Sequence, residues 1–286
     1  MSNTRLVVLT LLAMIAFAGN SLLNRLALND TNIDAASFTT LRLVSGAMML
    51  WLVVQIVHRK HSNRIGKGNW LSATALVVYA AGFSFAYISL SAAMGALILF
   101  GAVQATMITH GLWLGERLRG LQVIGLLLAL GGLVGLFLPG ISKPPLLGSL
   151  LMLLAGVAWG VYSLRGKGEG DATRVTAGNF LRAVPIALVL NLLMFQHFSF
   201  DSAGFWYAVA SGALASGLGY AIWYTALPAL KSTTAATVQL SVPVIAAVGG
   251  ILLLNEDLSL RLVVASVAIL GGIALVILEK KAASSK

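Results

Sequence analysis

Leu114-Gly115-Glu116-Arg117-Leu118 leads into an apolar run that closes on Leu130-Gly131-Gly132, and the pattern returns as Leu254-Asn255-Glu256-Asp257-Leu258 and Leu270-Gly271-Gly272. Residues 114–138 align with 254–278 without a gap, at an offset of 140 in a chain of 286 residues. Other pairs keep the same order. Arg42, inside an apolar run, falls opposite Arg182, and Ala16-Phe17-Ala18 falls opposite Ala158-Trp159-Gly160 with a small shift. A duplication of half the chain explains all of them together.

Composition sets the class. With 58% hydrophobic residues, 10% charged residues and a mean hydropathy of +0.92, the chain has too little polar surface for a soluble globule of this length. The absence of cysteine excludes disulfides and thiolate metal sites. The net charge of +10 does not point to nucleic acid, because the basic residues lie between apolar segments, where they act as topology signals.

Helices are expected near residues 6–28, 36–57, 70–90, 92–114, 121–138, 146–164, 176–196, 205–227, 232–254 and 262–278. Each approaches the roughly 20 residues that cross a hydrocarbon core, and the short loops leave no room for a soluble domain. The fold class expected is therefore an all-α integral membrane protein with ten transmembrane helices. Residues 1–140 form one five-helix repeat and 141–286 the second. Five is odd, so the second unit enters the membrane from the other side and the repeats are inverted around a central cavity, as in secondary transporters. Arg5, the apolar run behind it and Ala16-Phe17-Ala18 imitate a cleavable signal peptide. Hydrophobicity continues past that site through Ser21-Leu22-Leu23, so the segment is read as a retained helix. With a cytoplasmic N-terminus the inner loops collect most of the Lys and Arg, and the outside receives only Arg25, Lys143 and Arg261. Both termini are expected in the cytoplasm, across a bacterial-type inner membrane.

Two five-helix repeats, each with a Leu-Gly-Glu-Arg-Leu-like turn before a helix bearing a Gly-Gly pair, resemble the EamA-type members of the drug/metabolite transporter superfamily. The resemblance spans essentially the whole chain. Glu116, Leu118, Gly131 and Gly132 match the first motif, Asn255 and Asp257 depart from the second, and Pro243 matches a proline usual in the ninth helix. Within the superfamily the chain is most similar to the YddG-type exporters of amino acids. The resemblance implies a ten-helix basket with helices three, four, eight and nine as main walls, and one and six contributing.

Candidate residues for that cavity are read from the sequence. Tyr79, Phe83 and Tyr87 recur every four residues on the third helix, and Ser216, Tyr220 and Tyr224 take the paired positions on the eighth. Such a stripe can equally be lipid-facing or packed core, but tyrosine hydroxyls at mid-membrane need partners, which favours Tyr79 and Tyr220. Trp159, deep in the sixth helix, either walls the cavity or fills the repeat interface. Asn20, Gln104, Tyr162, Gln239 and Ser241 are polar at helix depth, where helix-to-helix bonding is the competing role. Gln239 and Ser241 stand beside Pro243, whose missing N–H frees a carbonyl. Arg42 and Arg182, about two turns inside their helices, are expected to snorkel or to bond helix carbonyls. Glu116 and Glu256 are expected to cap the following helix or to pair with arginine, in structural or gating roles with Pro243.

No carboxylate falls in the hydrocarbon interior, which argues against cation/proton exchange of the kind the small multidrug antiporters run through a first-helix glutamate. His110 is the one group near the interior with an ordinary pKa close to neutrality, and is a proton-linked candidate or a hydrogen-bonded packing residue. No paired aspartates, metal-ligand histidines or Ser/His pair indicate an enzyme, and a channel remains an alternative to a transporter. The expectation is a facilitative exporter of amino acids, aromatic and other neutral ones, working by alternating access, with export of other metabolites, drugs or cations as the alternative. Its partners are amino acids and membrane lipid, with no nucleic acid, no metal and no cofactor, and a monomer is compatible with the reading.

Overall fold

A computed structural model of the chain describes residues 2–57, 68–115, 120–137, 144–166, 171–230 and 238–284, and is all-helical over them. The helices are α1 (Asn3–Asp30), α2 (Ala35–Val57), α3 (Trp70–Tyr87), α4 (Ala92–Trp113) and α5 (Gly120–Phe137) in the first repeat. In the second they are α6 (Leu146–Arg165), α7 (Ala172–Leu193), α8 (Ser202–Ala229), α9 (Ser241–Leu254) and α10 (Leu260–Ser284). Seven are long and apolar enough to cross a membrane, and α5, α9 and α10 contribute shorter apolar stretches. Over the described residues ten helices form two inverted five-helix repeats, and the face that carries the start of α1 and the end of α10 is here termed the terminal face.

These sequences are helical because their backbone polar groups must be satisfied within each segment once water is gone, and their ends are capped by side chains where the chain turns. Asn69 accepts from Ser72 N at 2.8 Å, Ser91 from Met94 N at 3.3 Å and Asp34 from Ser37 N at 2.9 Å. Leu11, Ile15, Leu127, Leu188, Leu214 and Val264 are exposed, as lipid-facing positions require.

The duplicated motif is visible in two places. Gly115 has φ of 90° and Asn255, its counterpart, φ of 49°. The departure from glycine in the second copy therefore keeps the left-handed turn, since asparagine is the residue that best tolerates it after glycine. The second glycine of each Gly-Gly pair packs α5 against α10 reciprocally. A Cβ at Gly132 would stand 2.7 Å from the Cβ of Ala268, and one at Gly272 would stand 2.7 Å from Ala129 N. Gly131 and Gly271 have nothing within 4 Å.

One segment breaks the pattern. Residues Ala210–Leu218, in the middle of α8, form a π-helix. Ser211-Gly212 and Ser216-Gly217 lie five apart, on different faces of an α-helix; i→i+5 bonding brings them round to one side. Gly212 then meets Ser45 and the Arg42 carbonyl of α2, and Gly217 meets Met49. Side chains in these places would force α2 and α8 apart.

Candidate functional site

Between the repeats lies a cavity of about 20 Å³, lined by Phe17, Asn20, Tyr79, Phe83, Leu99 and Phe100 from the first repeat and Trp159, Ser216, Tyr220 and Gln239 from the second. Space of this size holds one or two water molecules. The wall is aromatic: Trp159 lies 4.6 Å from Tyr79 and 5.1 Å from Tyr220, ring centre to ring centre, and Phe17 lies 5.8 Å from Tyr220. Offset and edge contacts of this kind fix the rings against one another.

Beneath the rings runs a buried polar network that joins four helices. Ser211 of the π-segment donates to Asn20 Oδ1 at 2.7 Å, and Asn24 Nδ2 donates to Ser211 Oγ at 3.2 Å. Ser84 of α3 donates to Asn24 Oδ1 at 3.2 Å, and Asn20 Nδ2 donates to the Tyr79 hydroxyl at 3.4 Å. Arg42 ends the chain, its Nη2 donating to the Tyr79 hydroxyl at 2.9 Å and its Nε to Ser216 Oγ at 3.4 Å. Its guanidinium carbon sits 5.2 Å from the Tyr79 ring centre and 5.1 Å from that of Phe83.

The expected snorkelling of Arg42 is therefore corrected. The side chain is 2% exposed and turned inward, because Gly212 lets α8 approach closely enough for Ser216 to receive it. Its counterpart Arg182 is half-buried and donates to the Gly178 carbonyl of its own helix at 3.0 Å, as a helix-carbonyl role requires.

Tyr79, Phe83, Trp159, Tyr220, Gln239 and Asn20 are brought together at the cavity. Four other candidates stand apart from its lining. Ser241 donates to the Val238 carbonyl at 2.7 Å, so its hydroxyl satisfies the backbone loosened beside the buried Pro243 instead of facing the cavity. Tyr162 is buried against α7, its hydroxyl accepting from Asn179 at 3.4 Å, and Gln104 is buried away from the lining. His110 is exposed on α4 and does not line the cavity.

Glu256 differs from expectation in what it caps. Its carboxylate accepts from Ala92 N at 2.9 Å, the N-terminus of α4 in the other repeat, in place of the helix that follows it. It also pairs with Arg25 Nε at 3.2 Å, while Arg25 Nη1 donates to the carbonyls of Tyr87 at 3.0 Å and Ile88 at 3.2 Å. This latch ties α1, the α3–α4 turn and the α9–α10 turn together on the face opposite the termini. The sequence reading counts Arg25 only as an outer charge, because its partner Glu256 lies 231 residues away and nothing local pairs the two. Glu116 lies outside the described residues. On the terminal face Arg165 donates to Ser72 Oγ at 3.2 Å and Asn69 Oδ1 at 3.3 Å, joining α6 to α3.

Among the described residues two buried polar atoms stay without partners, the Tyr220 hydroxyl on the cavity wall and Arg42 Nη1 just behind it. Ser216 and the π-segment that presents it are the contributors hardest to foresee; the recurrence of Ser-Gly at a spacing of five is the signal that marks them.

An uncharacterized protein of Pseudomonas aeruginosa is 57% identical to this chain over 277 residues, covering 97% of this chain and 96% of its own length. An uncharacterized transporter of Bacillus subtilis, YoaV, is 25% identical across 85% of this chain and 87% of its own. An uncharacterized transporter of Archaeoglobus fulgidus is 25% identical across 89% and 91%. One solved crystal structure superposes with a TM-score of 0.69 at 18% identity, covering 96% of this chain and 98% of that one, a likeness of fold alone. The model of the EamA-like transporter family matches residues 4–138 and, again, residues 146–278. Matched along both halves, this multi-pass membrane chain belongs to the EamA-like transporter family, whose members carry small molecules.

Proposed function

We propose that this transporter exports amino acids, aromatic and other neutral ones, down their gradients across a bacterial inner membrane by alternating access between its repeats. The observation that carries the reading is the aromatic, hydroxyl-bearing cavity supplied by both repeats, since inverted-repeat transporters place their substrates between the repeats. Aromatic walls favour large side chains by dispersion. At about 20 Å³ the cavity is too small for an amino acid, so binding requires the repeats to move. The Arg25–Glu256 latch closes one face in the meantime. In this reading residues 1–140 and 141–286 are the two moving units, and the latch faces the periplasm.

Purified protein in liposomes loaded with a panel of labelled amino acids and nucleobases tests the reading. Saturable efflux of phenylalanine and other neutral amino acids, inhibited by Trp159→Ala, is expected. Efflux of nucleobases alone, or unsaturable flux, overturns it. Cysteines at Thr31 and Gly166 test orientation: an impermeant reagent on intact cells is expected to label the first only.

A further inference from the structure

Resting on the transporter reading above, we infer that Arg42 is the receptor for a carboxylate of the transported molecule. An arginine cannot shed its charge in a protein, so a guanidinium that is 2% exposed inside the membrane must be compensated by something. What surrounds Arg42 is neutral: the hydroxyls of Tyr79 and Ser216 and the faces of Tyr79 and Phe83. Among the described residues no carboxylate pairs with it. The acids whose side chains are described, Asp30, Asp34, Asp171, Asp201, Glu256 and Asp257, lie at helix ends or in turns.

The hydrogen-bond account has the same imbalance. Among the described residues Arg42 Nη1 has no partner, and neither does the Tyr220 hydroxyl. The Tyr79 oxygen already accepts from both Arg42 and Asn20, which leaves its own proton uncommitted. The Asn20 carbonyl oxygen is taken by Ser211 and Asn24. The Tyr79 and Tyr220 hydroxyls line the cavity, Arg42 stands behind Tyr79 and Ser216, and among the described residues no anionic acceptor faces these three donors, one of them cationic. That set fits an anion. One fixed charge, with a planar fork and hydroxyl donors beside it, suits a single carboxylate better than a doubly charged phosphate. The apolar part of the molecule then lies against Phe17, Trp159 and Phe83. Since no described lining residue is anionic, an ammonium group adds little beside the carboxylate, and a simple organic acid should bind about as well as the amino acid of the same shape.

Thermal unfolding of the purified protein, followed with millimolar L-phenylalanine, 3-phenylpropionate, L-phenylalaninamide and inorganic phosphate, tests this. Both carboxylates should raise the melting temperature by several degrees, whereas the amide and phosphate should leave it unchanged. Arg42→Gln should melt higher than wild type without ligand, because an uncompensated buried charge is gone, and should lose the carboxylate shift. Arg42→Lys should keep the shift with roughly tenfold weaker apparent affinity. If Arg42→Gln does not fold, Tyr220→Phe serves, with a reduced carboxylate shift expected. Equal shifts from the amide and the acid, no shift from either carboxylate, or a full shift in Arg42→Gln or, in its place, Tyr220→Phe overturns the inference. Flux separates this from the transporter reading. Arg42-dependent binding without flux of any probe sinks the transporter and keeps the carboxylate site; equal flux of acid and amide through Arg42→Gln does the reverse.

Discussion

Arg42 and Arg182 occupy the same position of the two repeats and do different things. Arg42 crosses to the paired positions Tyr79 and Ser216 of α3 and α8, which places it close to the axis relating the repeats. Arg182 turns back to the carbonyl one turn before it. A site on the axis has room for one guanidinium, since two would repel in a medium of low dielectric. The duplication therefore copied the helices, whereas the site came from breaking the symmetry. The local cause lies on α8, whose π-segment offers Gly212 and Ser216 to α2, while α3 remains a regular α-helix with Tyr79 at the position paired with Ser216.

The largest expected effect tests that difference directly. Arg42→Gln should lower carboxylate transport about tenfold to hundredfold, the value of a charge-assisted bond of about 1.5–3 kcal/mol. Arg182→Gln, which removes a half-exposed side chain bonded to its own helix, should change it less than about twofold. Initial rates from liposomes with matched protein content check both. Equal losses in the two variants would remove the asymmetry on which the site rests.

The Gly-Gly pairs ask the reverse question, how much symmetry survives. Gly132→Leu and Gly272→Leu should both destabilise by about 1–3 kcal/mol through overpacking at the α5–α10 contact. Gly272 should be the worse, because it faces the backbone of Gly125 and Ala129, whereas Gly132 meets side chains of Ala268 and Ile269. Gly131→Leu and Gly271→Leu, pointing into open space, should be tolerated. Melting temperatures of the four variants in one detergent order them.

The fold was legible because the Gly-Gly spacing, the apolar segment lengths and the Lys/Arg bias all follow from bilayer physics. Even Asn255, which departs from the glycine of the first copy, keeps the same left-handed turn. The site was legible only where side-chain chemistry forced the answer, as for the tyrosine hydroxyls of Tyr79 and Tyr220. Helices that are apolar all round have no pattern to say which face looks inward. That is why Gln104, Tyr162, Ser241 and His110 could not be told from Asn20 and Gln239. Arg42 was misread because two turns of depth lie within a long side chain's reach of the interface, and only the π-segment, a three-dimensional feature, turns it inward.

The latch on the face opposite the termini also crosses between repeats, and its effect should be intermediate. Glu256→Gln keeps an acceptor for Ala92 N and removes the charge that holds Arg25. A partly buried pair of this kind contributes about 1 kcal/mol, so the closed state should lose roughly fivefold of its advantage over the open one. Labelling of a cysteine at Ser21, on the cavity wall, by a small impermeant reagent from that face should rise accordingly, while the melting temperature moves little. Unchanged labelling would make Glu256 a helix cap alone.

The smallest effect is expected at Asp201, which joins the repeats on the same face through the loops. It accepts from Gly204 N at the start of α8 and from Asn32 N, in the α1–α2 loop, at 2.6 Å. The Gly204 amide first, then that of Asn32, hold its carboxyl below the usual carboxylate range. A carboxyl whose pKa is lower folded than unfolded contributes stability that is complete above the unfolded value. That contribution is lost as pH falls through the lowered one. The protein should therefore lose a small part of its stability between the ordinary carboxylate range and more acid pH. Asp201→Asn, still able to cap α8 but without the charge, should flatten that part of the profile and lie slightly below wild type at neutral pH. Because the group is exposed the difference will be modest, and melting curves taken at low and at high salt decide whether it exists. A wild-type profile that does not change below the ordinary carboxylate range, or one identical to that of Asp201→Asn, would mean that the Asn32 amide bonds water as well as it bonds Asp201.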